Sequence, residues 1–238
     1  MYGWRGKIGL IVPSTNTTME GDFHRMAPTG VSVHTGRARL PGHEVSPESL
    51  AAMAEKVQSA VEDVATCGAN AIVYGCTSGS FFQGRAWDRE LTSRIESAVG
   101  RPFVTTASAS IEALRRLEVR RVAVATPYPD EINRRLERYL SEWELEVTAL
   151  KGLLDSNVLS HATVSPYVLY RLALEVGRSD CDGVFMACTA VQAVEVVEQL
   201  ERDLGKPVVT ANQASFWAAM QRIGLNDKVP GFGSLLRL

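Results

Sequence analysis

The segment Asn70-Ala-Ile-Val-Tyr-Gly-Cys-Thr77 returns roughly 110 residues later as Asp182-Gly-Val-Phe-Met-Ala-Cys-Thr189. Lys7-Ile-Gly-Leu-Ile-Val-Pro13 is matched in the same way by Arg121-Val-Ala-Val-Ala-Thr-Pro127, and Arg101-Pro-Phe-Val-Thr-Thr106 by Lys206-Pro-Val-Val-Thr-Ala211. Three paired segments in the same order restrict the chain to two copies of one structural plan. Within each copy, short β-branched apolar runs alternate with longer amphipathic stretches. That alternation specifies βαβ units and parallel sheets, because parallel neighbours need a crossover between them.

The first copy reads as strands Lys7–Pro13, Val31–Ala38, Ala69–Gly75 and Phe103–Thr106, with helices Pro47–Thr66, Trp87–Ala98 and Ser108–Leu117. The second reads as strands Arg121–Ala125, Glu146–Leu150, Gly183–Ala187 and Pro207–Thr210, with helices Asp130–Trp143, Pro166–Val176, Val191–Leu204 and Gln213–Ile223. Helix Pro47–Thr66 is the plainest: Leu50, Met53, Val57, Ala60, Val61 and Val64 recur at three- and four-residue spacing, and Ser46-Pro47 supplies a cap and a first-turn residue. The expected fold class is α/β, two pseudo-symmetric Rossmann-like lobes with mostly parallel sheets. The lobes would span residues 1–117 and 118–238, with the C-terminal helix free to pack back on the first lobe.

A net charge of -2 over 238 residues, with no Lys/Arg block, lacks the basic footprint of a nucleic-acid binder. No apolar run approaches the roughly 18 residues of a membrane span, and Met1–Arg5 does not read as a signal peptide, so a cytoplasmic location is expected. The four cysteines are then free thiols, and without a C-x-x-C pair or paired histidines among His24, His34, His43 and His161 no metal site is expected. A homodimer is expected on base rates.

In open parallel sheets, ligands collect beyond the carboxyl ends of the strands. Cys76 and Cys188 both stand there, each followed by Thr, whereas Cys67 and Cys181 do not and read as packing residues. If the lobes face each other, the two thiols approach one cleft from opposite sides and serve as acid and base on a small molecule. A helix N-terminus after each is expected to lower the thiol pKa. Around them Ser14, Thr15, Asn16, Thr77, Ser78, Tyr128, Asn157 and Thr189 offer neutral donors that suit carboxylate oxygens, giving one carboxylate nest per Cys-Thr turn. Glu20, Asp22, Arg37 and Arg39 read as solvated or helix-end charges, and His161 as a surface or supporting residue. No G-x-G-x-x-G or P-loop follows the first strand, and Gly75-Cys-Thr-Ser-Gly79 misplaces the serine of a nucleophile elbow.

Val12-Pro-Ser-Thr-Asn-Thr-Thr-Met-Glu20, Tyr74-Gly-Cys-Thr-Ser-Gly-Ser80 and Ala187-Cys-Thr-Ala190 together resemble the maleate cis–trans isomerase group of the aspartate/glutamate racemase superfamily, which sits beside the arylmalonate decarboxylases. The resemblance runs over nearly the whole chain. It implies a cofactor-independent isomerase of maleate or a close cis-dicarboxylate, with Cys76 as nucleophile and Cys188 as proton donor, acting through a succinyl-cysteine intermediate. It also implies that Asn16, Tyr128 and Asn157 bind substrate carboxylates, with Thr77, Ser78, Thr189 and Ala190 contributing through the turns. Decarboxylases of the group keep only the second-lobe cysteine and carry a glycine near the first position, so two thiols depart from that activity. The alternative is a two-cysteine racemase or epimerase of an amino acid, a hydantoin or a related acid, or an arylmalonate decarboxylase-like enzyme; a non-catalytic dicarboxylate-binding protein is a third reading.

Overall fold

A computed structural model describes Met1–Leu238. In chain order the elements are β1 (Gly6–Pro13), α1 (Met19–Met26), β2 (Val31–Ala38), α2 (Pro47–Ala65), β3 (Ala71–Tyr74), α3 (Thr77–Phe81), α4 (Gly84–Val99), β4 (Phe103–Thr105) and α5 (Thr106–Arg116). They continue with β5 (Arg121–Thr126), α6 (Asp130–Glu142), β6 (Glu146–Gly152), α7 (Val158–His161), α8 (Pro166–Gly177), β7 (Gly183–Met186), α9 (Val197–Leu204), β8 (Val208–Thr210) and α10 (Ala211–Arg222). Two four-stranded sheets form, ordered β2-β1-β3-β4 and β6-β5-β7-β8, and every pairing is parallel. The duplicated sequence is thus a duplicated topology. In each sheet the crossovers diverge between the first and third strands of the repeat, and that switch point opens a crevice at their carboxyl ends.

Strands β3 and β7 inside the sheets, and β4 and β8 at one edge of each, are buried along their whole length, which is why they read as continuous apolar runs. Helix α2 starts where Ser46 accepts from the Ser49 N–H while Ser49 answers the Ser46 backbone, with Pro47 in the first turn. Gly100 and Gly205 close α4 and α9 in the left-handed conformation that glycine adopts without a Cβ penalty. Helix α10 crosses to the first lobe and packs on α5 and α1. There Ser215 Oγ donates to Thr106 Oγ1 at 3.0 Å, and Phe216 meets Phe23 edge-on at 5.4 Å. At the other end Arg5 grips Asp227 through two bonds of 2.8 and 2.7 Å. No helix is long and apolar enough to cross a membrane.

The structure departs from the sequence reading in the short elements. Helices α1, α3 and α7 have too few residues to show a period, and the expected helix over Val191–Leu204 begins only at Val197, after a 3-10 turn at Val194–Val196. In the stretch before that turn Cys188 holds φ at +100°, and the Gln192 side-chain amide donates to the Ala162 carbonyl at 3.0 Å.

Candidate active site

One small cavity lies where the two switch points meet. Both Cys76 and Cys188 line it. Cys76 follows β3 and caps the five-residue α3, where its sulfur accepts from the Gly79 N–H at 3.3 Å and lies 3.8 Å from the Ser78 hydroxyl. Gly79 is required by close approach: a Cβ there would collide with the Tyr74 hydroxyl and press on the Cys76 sulfur at 2.9 Å. Cys188 follows β7 and occupies a positive-φ conformation rare for a residue with a side chain. Its sulfur accepts from the Ala190 N–H at 3.4 Å and lies 3.8 Å from His161 Nδ1.

The expectation of lowered thiol pKa values is corrected. Burial pushes the Cys76 thiol up, against a counter-pull from the Gly79 N–H and the Ser78 and Tyr74 hydroxyls. Cys188 is pushed up to about 12, again chiefly by burial, with the Ala190 N–H opposing. The physical reason is that α3 is a single short turn and no helix starts directly after Cys188, so the dipole on which the expectation rested is slight, while both sulfurs are almost wholly removed from water. At rest both are thiols.

Tyr128, 1% exposed, shares the cavity with both sulfurs, and burial holds its phenol well above the usual range. Thr77, Ser78, Thr189, Ala190 and Asn16 also line the cavity. The two Cys-Thr turns are nonetheless unequal. Thr77 Oγ1 is buried without a partner and is free for a ligand. Thr189 is spoken for: its hydroxyl donates to the Gly75 carbonyl at 3.1 Å and accepts from Asn16 Nδ2 at 3.0 Å, tying the two cysteine turns together across the lobes. Asn16 Oδ1 in turn accepts from the Thr18 and Met19 N–H groups at 2.9 and 3.0 Å, which starts α1.

Asn157 is not brought into the cavity. It is exposed and caps α7, accepting from the Leu159 N–H at 3.0 Å, and it is its neighbours Val158 and His161 that line the site. Asp22, read from the sequence as a solvated or helix-end charge, is instead buried: it accepts from Asn212 Nδ2 at 2.7 Å, and desolvation raises its pKa to about 6. Asn212 also donates to the Thr189 carbonyl at 3.2 Å, so this pair braces the turn that carries Cys188. Sequence reasoning also missed the apolar wall. Leu40, Val45, Leu50, Met53 and Val158 face the donors across the cavity, and the helical period of α2 marks Leu50 and Met53 as core without saying that a cavity lies there.

The sequence profile of the arylmalonate decarboxylase family matches residues 8–236. The chain belongs to the arylmalonate decarboxylase family. Its relatives include the arylmalonate decarboxylase of Bordetella bronchiseptica, 33% identical over 231 residues that cover 96% of this chain and 95% of the relative. They also include a maleate isomerase of Pseudomonas putida, 31% identical over 244 residues that cover 97% and 96% of the two chains. Among solved structures, a cysteine-to-serine mutant of Nocardia farcinica maleate cis–trans isomerase carrying a covalently bound succinylcysteine intermediate superposes with a TM-score of 0.92 at 28% identity, covering 98% of each chain. Two parallel-sheet lobes are therefore the family's architecture, and the chain is an enzyme with isomerases among its relatives.

Proposed function

We propose that this member of the arylmalonate decarboxylase family is an isomerase that converts maleate, or a close cis-dicarboxylate, to fumarate by reversible addition of Cys76. The observation that carries the reading is the pair of buried sulfurs, from matched points of two repeats, lining one cavity with neutral donors around them. The maleate isomerases among its relatives, one of them holding a succinylcysteine, support it. In the proposed reaction Cys76, a thiol at rest, first gives up its proton to solvent water, and the thiolate so formed makes a bond to one alkene carbon. The π pair moves toward the neighbouring carboxylate, and the Cys188 thiol delivers its proton to the second carbon. The central bond of the thioether is then single and rotates. The Cys188 thiolate retrieves the proton, the double bond re-forms in the trans geometry, and Cys76 departs as thiolate. Thr77 Oγ1, Ser78 and the Tyr128 hydroxyl are the donors assigned to the enediolate that develops before the first proton transfer and again after the second. Incubation with maleate followed by NMR tests this: fumarate should appear with wild-type protein and vanish in Cys76→Ser. Fumarate formed at an equal rate by that variant removes Cys76 from the nucleophile role.

A second reading is favoured by the apolar wall. Leu40, Val45, Leu50, Met53 and Val158 offer no donor to a second carboxylate, whereas they suit an apolar α-substituent. With the same two sulfurs on opposite faces of an α-carbon, the chemistry becomes proton removal by one and return by the other, which racemises a chiral acid. Solvent deuterium entering the α-position of recovered substrate distinguishes that outcome from alkene isomerisation. The cytoplasmic location and the homodimer expected from the sequence, together with lobe boundaries at residues 117 and 118, are carried as part of this proposal.

A further inference from the structure

His161, which reads from the sequence as a surface or supporting residue, is wholly buried on the cavity wall. Its Nε2 lies 2.9 Å from the backbone carbonyl of Asp155. A carbonyl oxygen only accepts, so Nε2 must carry a hydrogen and donate it. In a neutral imidazole that leaves Nδ1 as a lone pair, and Nδ1 is the atom that stands 3.8 Å from Cys188 Sγ. The ring is fixed from other sides as well. It packs against Tyr128 with centroids 6.3 Å apart, and α7 is anchored by Asp155, whose carboxylate accepts from the Ser160 hydroxyl and from the Asn157 N–H at 2.8 Å.

We infer that His161 is the proton acceptor of Cys188, the two forming a dyad in which Nδ1 takes the thiol proton and returns it. In the step, the S–H bond of Cys188 breaks and its electron pair stays on sulfur. An N–H bond forms at Nδ1, and the imidazolium keeps its Nε2–H on the Asp155 carbonyl. The products are a thiolate and an imidazolium in contact, and reversal of the step restores the thiol. Neither partner is charged at rest, since burial lowers the histidine and raises the thiol. The charged pair therefore forms only where Cys188 must act as a base from its resting thiol state, as in proton removal from an α-carbon; where it first gives its proton to carbon, Nδ1 instead faces the thiolate until the proton returns. Cys76 has no such neighbour: its sulfur is met by the Gly79 N–H and by hydroxyls, which cannot take a proton at neutral pH. The dyad thus separates the roles of two sulfurs that the repeat makes look equivalent. The inference rests on the reading that Cys188 exchanges a proton with a substrate carbon.

The test reads Cys188 directly, without substrate. The titratable groups that face the ring are Cys188 after β7, Tyr128 after β5 and Asp155 ahead of α7, with Cys76 after β3 on the same cavity. Iodoacetamide labelling of wild type and His161→Gln is followed site by site through peptide mass spectrometry across pH 6 to 10. At pH 7 the variant should label Cys188 about tenfold more slowly while Cys76 labels as before, because only one sulfur has lost its acceptor. An unchanged Cys188 profile overturns the dyad. Should the variant not fold, wild type and Cys188→Ala labelled with ¹⁵N-histidine decide the matter. Nε2 of His161 should be protonated, Nδ1 unprotonated, and the Nδ1 signal should move when the sulfur is removed. A proton found on Nδ1 of the resting neutral ring, or an Nδ1 signal indifferent to the sulfur, overturns it. Neither readout depends on maleate being the substrate, so failure of maleate turnover and failure of the dyad are separate results.

Discussion

Cys188 holds φ at +100°, a conformation that places its Cβ against its own backbone. Such a residue costs about 1–3 kcal/mol of strain, a cost that persists only where the surroundings impose it. Comparison of Cys188→Ala with Cys188→Gly isolates that strain, because both lose the sulfur and its buried contacts, on the order of 1 kcal/mol, and only alanine keeps the Cβ. In ordinary strand or helix positions glycine is the less stable of the two by roughly 0.5–1 kcal/mol. Here the order should invert, with glycine ahead by about 1–2 kcal/mol after its entropy penalty is subtracted. Urea unfolding should show a higher midpoint for Cys188→Gly than for Cys188→Ala at equal slope, and the melting temperatures should differ by roughly 2–8 °C in a chain of this size. Both variants should be inactive if the sulfur is the acid and base. Equal midpoints, or an alanine variant that outlasts glycine, would refute the claim that the fold bends its backbone to aim this thiol.

Other consequences follow from the same contacts. The carboxyl of Asp22 is raised to about 6 by burial, so between pH 4 and pH 6 the native state binds the proton that the unfolded state has lost, and stability falls as pH rises through that window. Asp22→Asn should keep the bond from Asn212, remove that fall, and gain up to about 3 kcal/mol at pH 7 relative to wild type; midpoints that change equally with pH in both proteins contradict this. Thr189→Val leaves Asn16 Nδ2 and the Gly75 carbonyl unpaired and should cost about 1–3 kcal/mol in urea unfolding together with most of the turnover, and a neutral result would show that the cross-lobe link is idle. Because burial raises both thiols, maleate turnover should climb with pH through neutrality as Cys76 ionises and show no falling limb before Cys188, at about 12, loses its proton. A bell centred below pH 7 would mean that some other group sets the profile.

The architecture was legible because duplication and alternation are long-range patterns that local noise does not erase. Strand Val31–Ala38 and the start of α2 at Pro47 agree with the reading residue for residue. What the period could not show were α1, α3 and α7, since four to eight residues complete barely one or two turns. Those short helices carry much of the site. Cys76 and Cys188 stood out by repetition, but which donors remain free did not, because that depends on cross-lobe partners: Thr77 has none, whereas Thr189 is occupied by Asn16 and Gly75. His161 illustrates the same limit. A single histidine in a polar stretch gives no signal of burial, and only the closure of α7 over the cavity sets its Nδ1 against a sulfur that lies 27 residues further along the chain.

The central claim is that Cys76 is the nucleophile and Cys188 its proton partner across one cavity. Cys188→Ser, incubated with maleate, quenched in acid and digested, measures it most directly. The account predicts a peptide containing Cys76 heavier by one maleic acid, accumulating because the partner that completes elimination is impaired, and no such mass in the double variant Cys76→Ser, Cys188→Ser. An adduct mapped to another residue, or a Cys76 peptide that stays unmodified while fumarate is still produced, would contradict it.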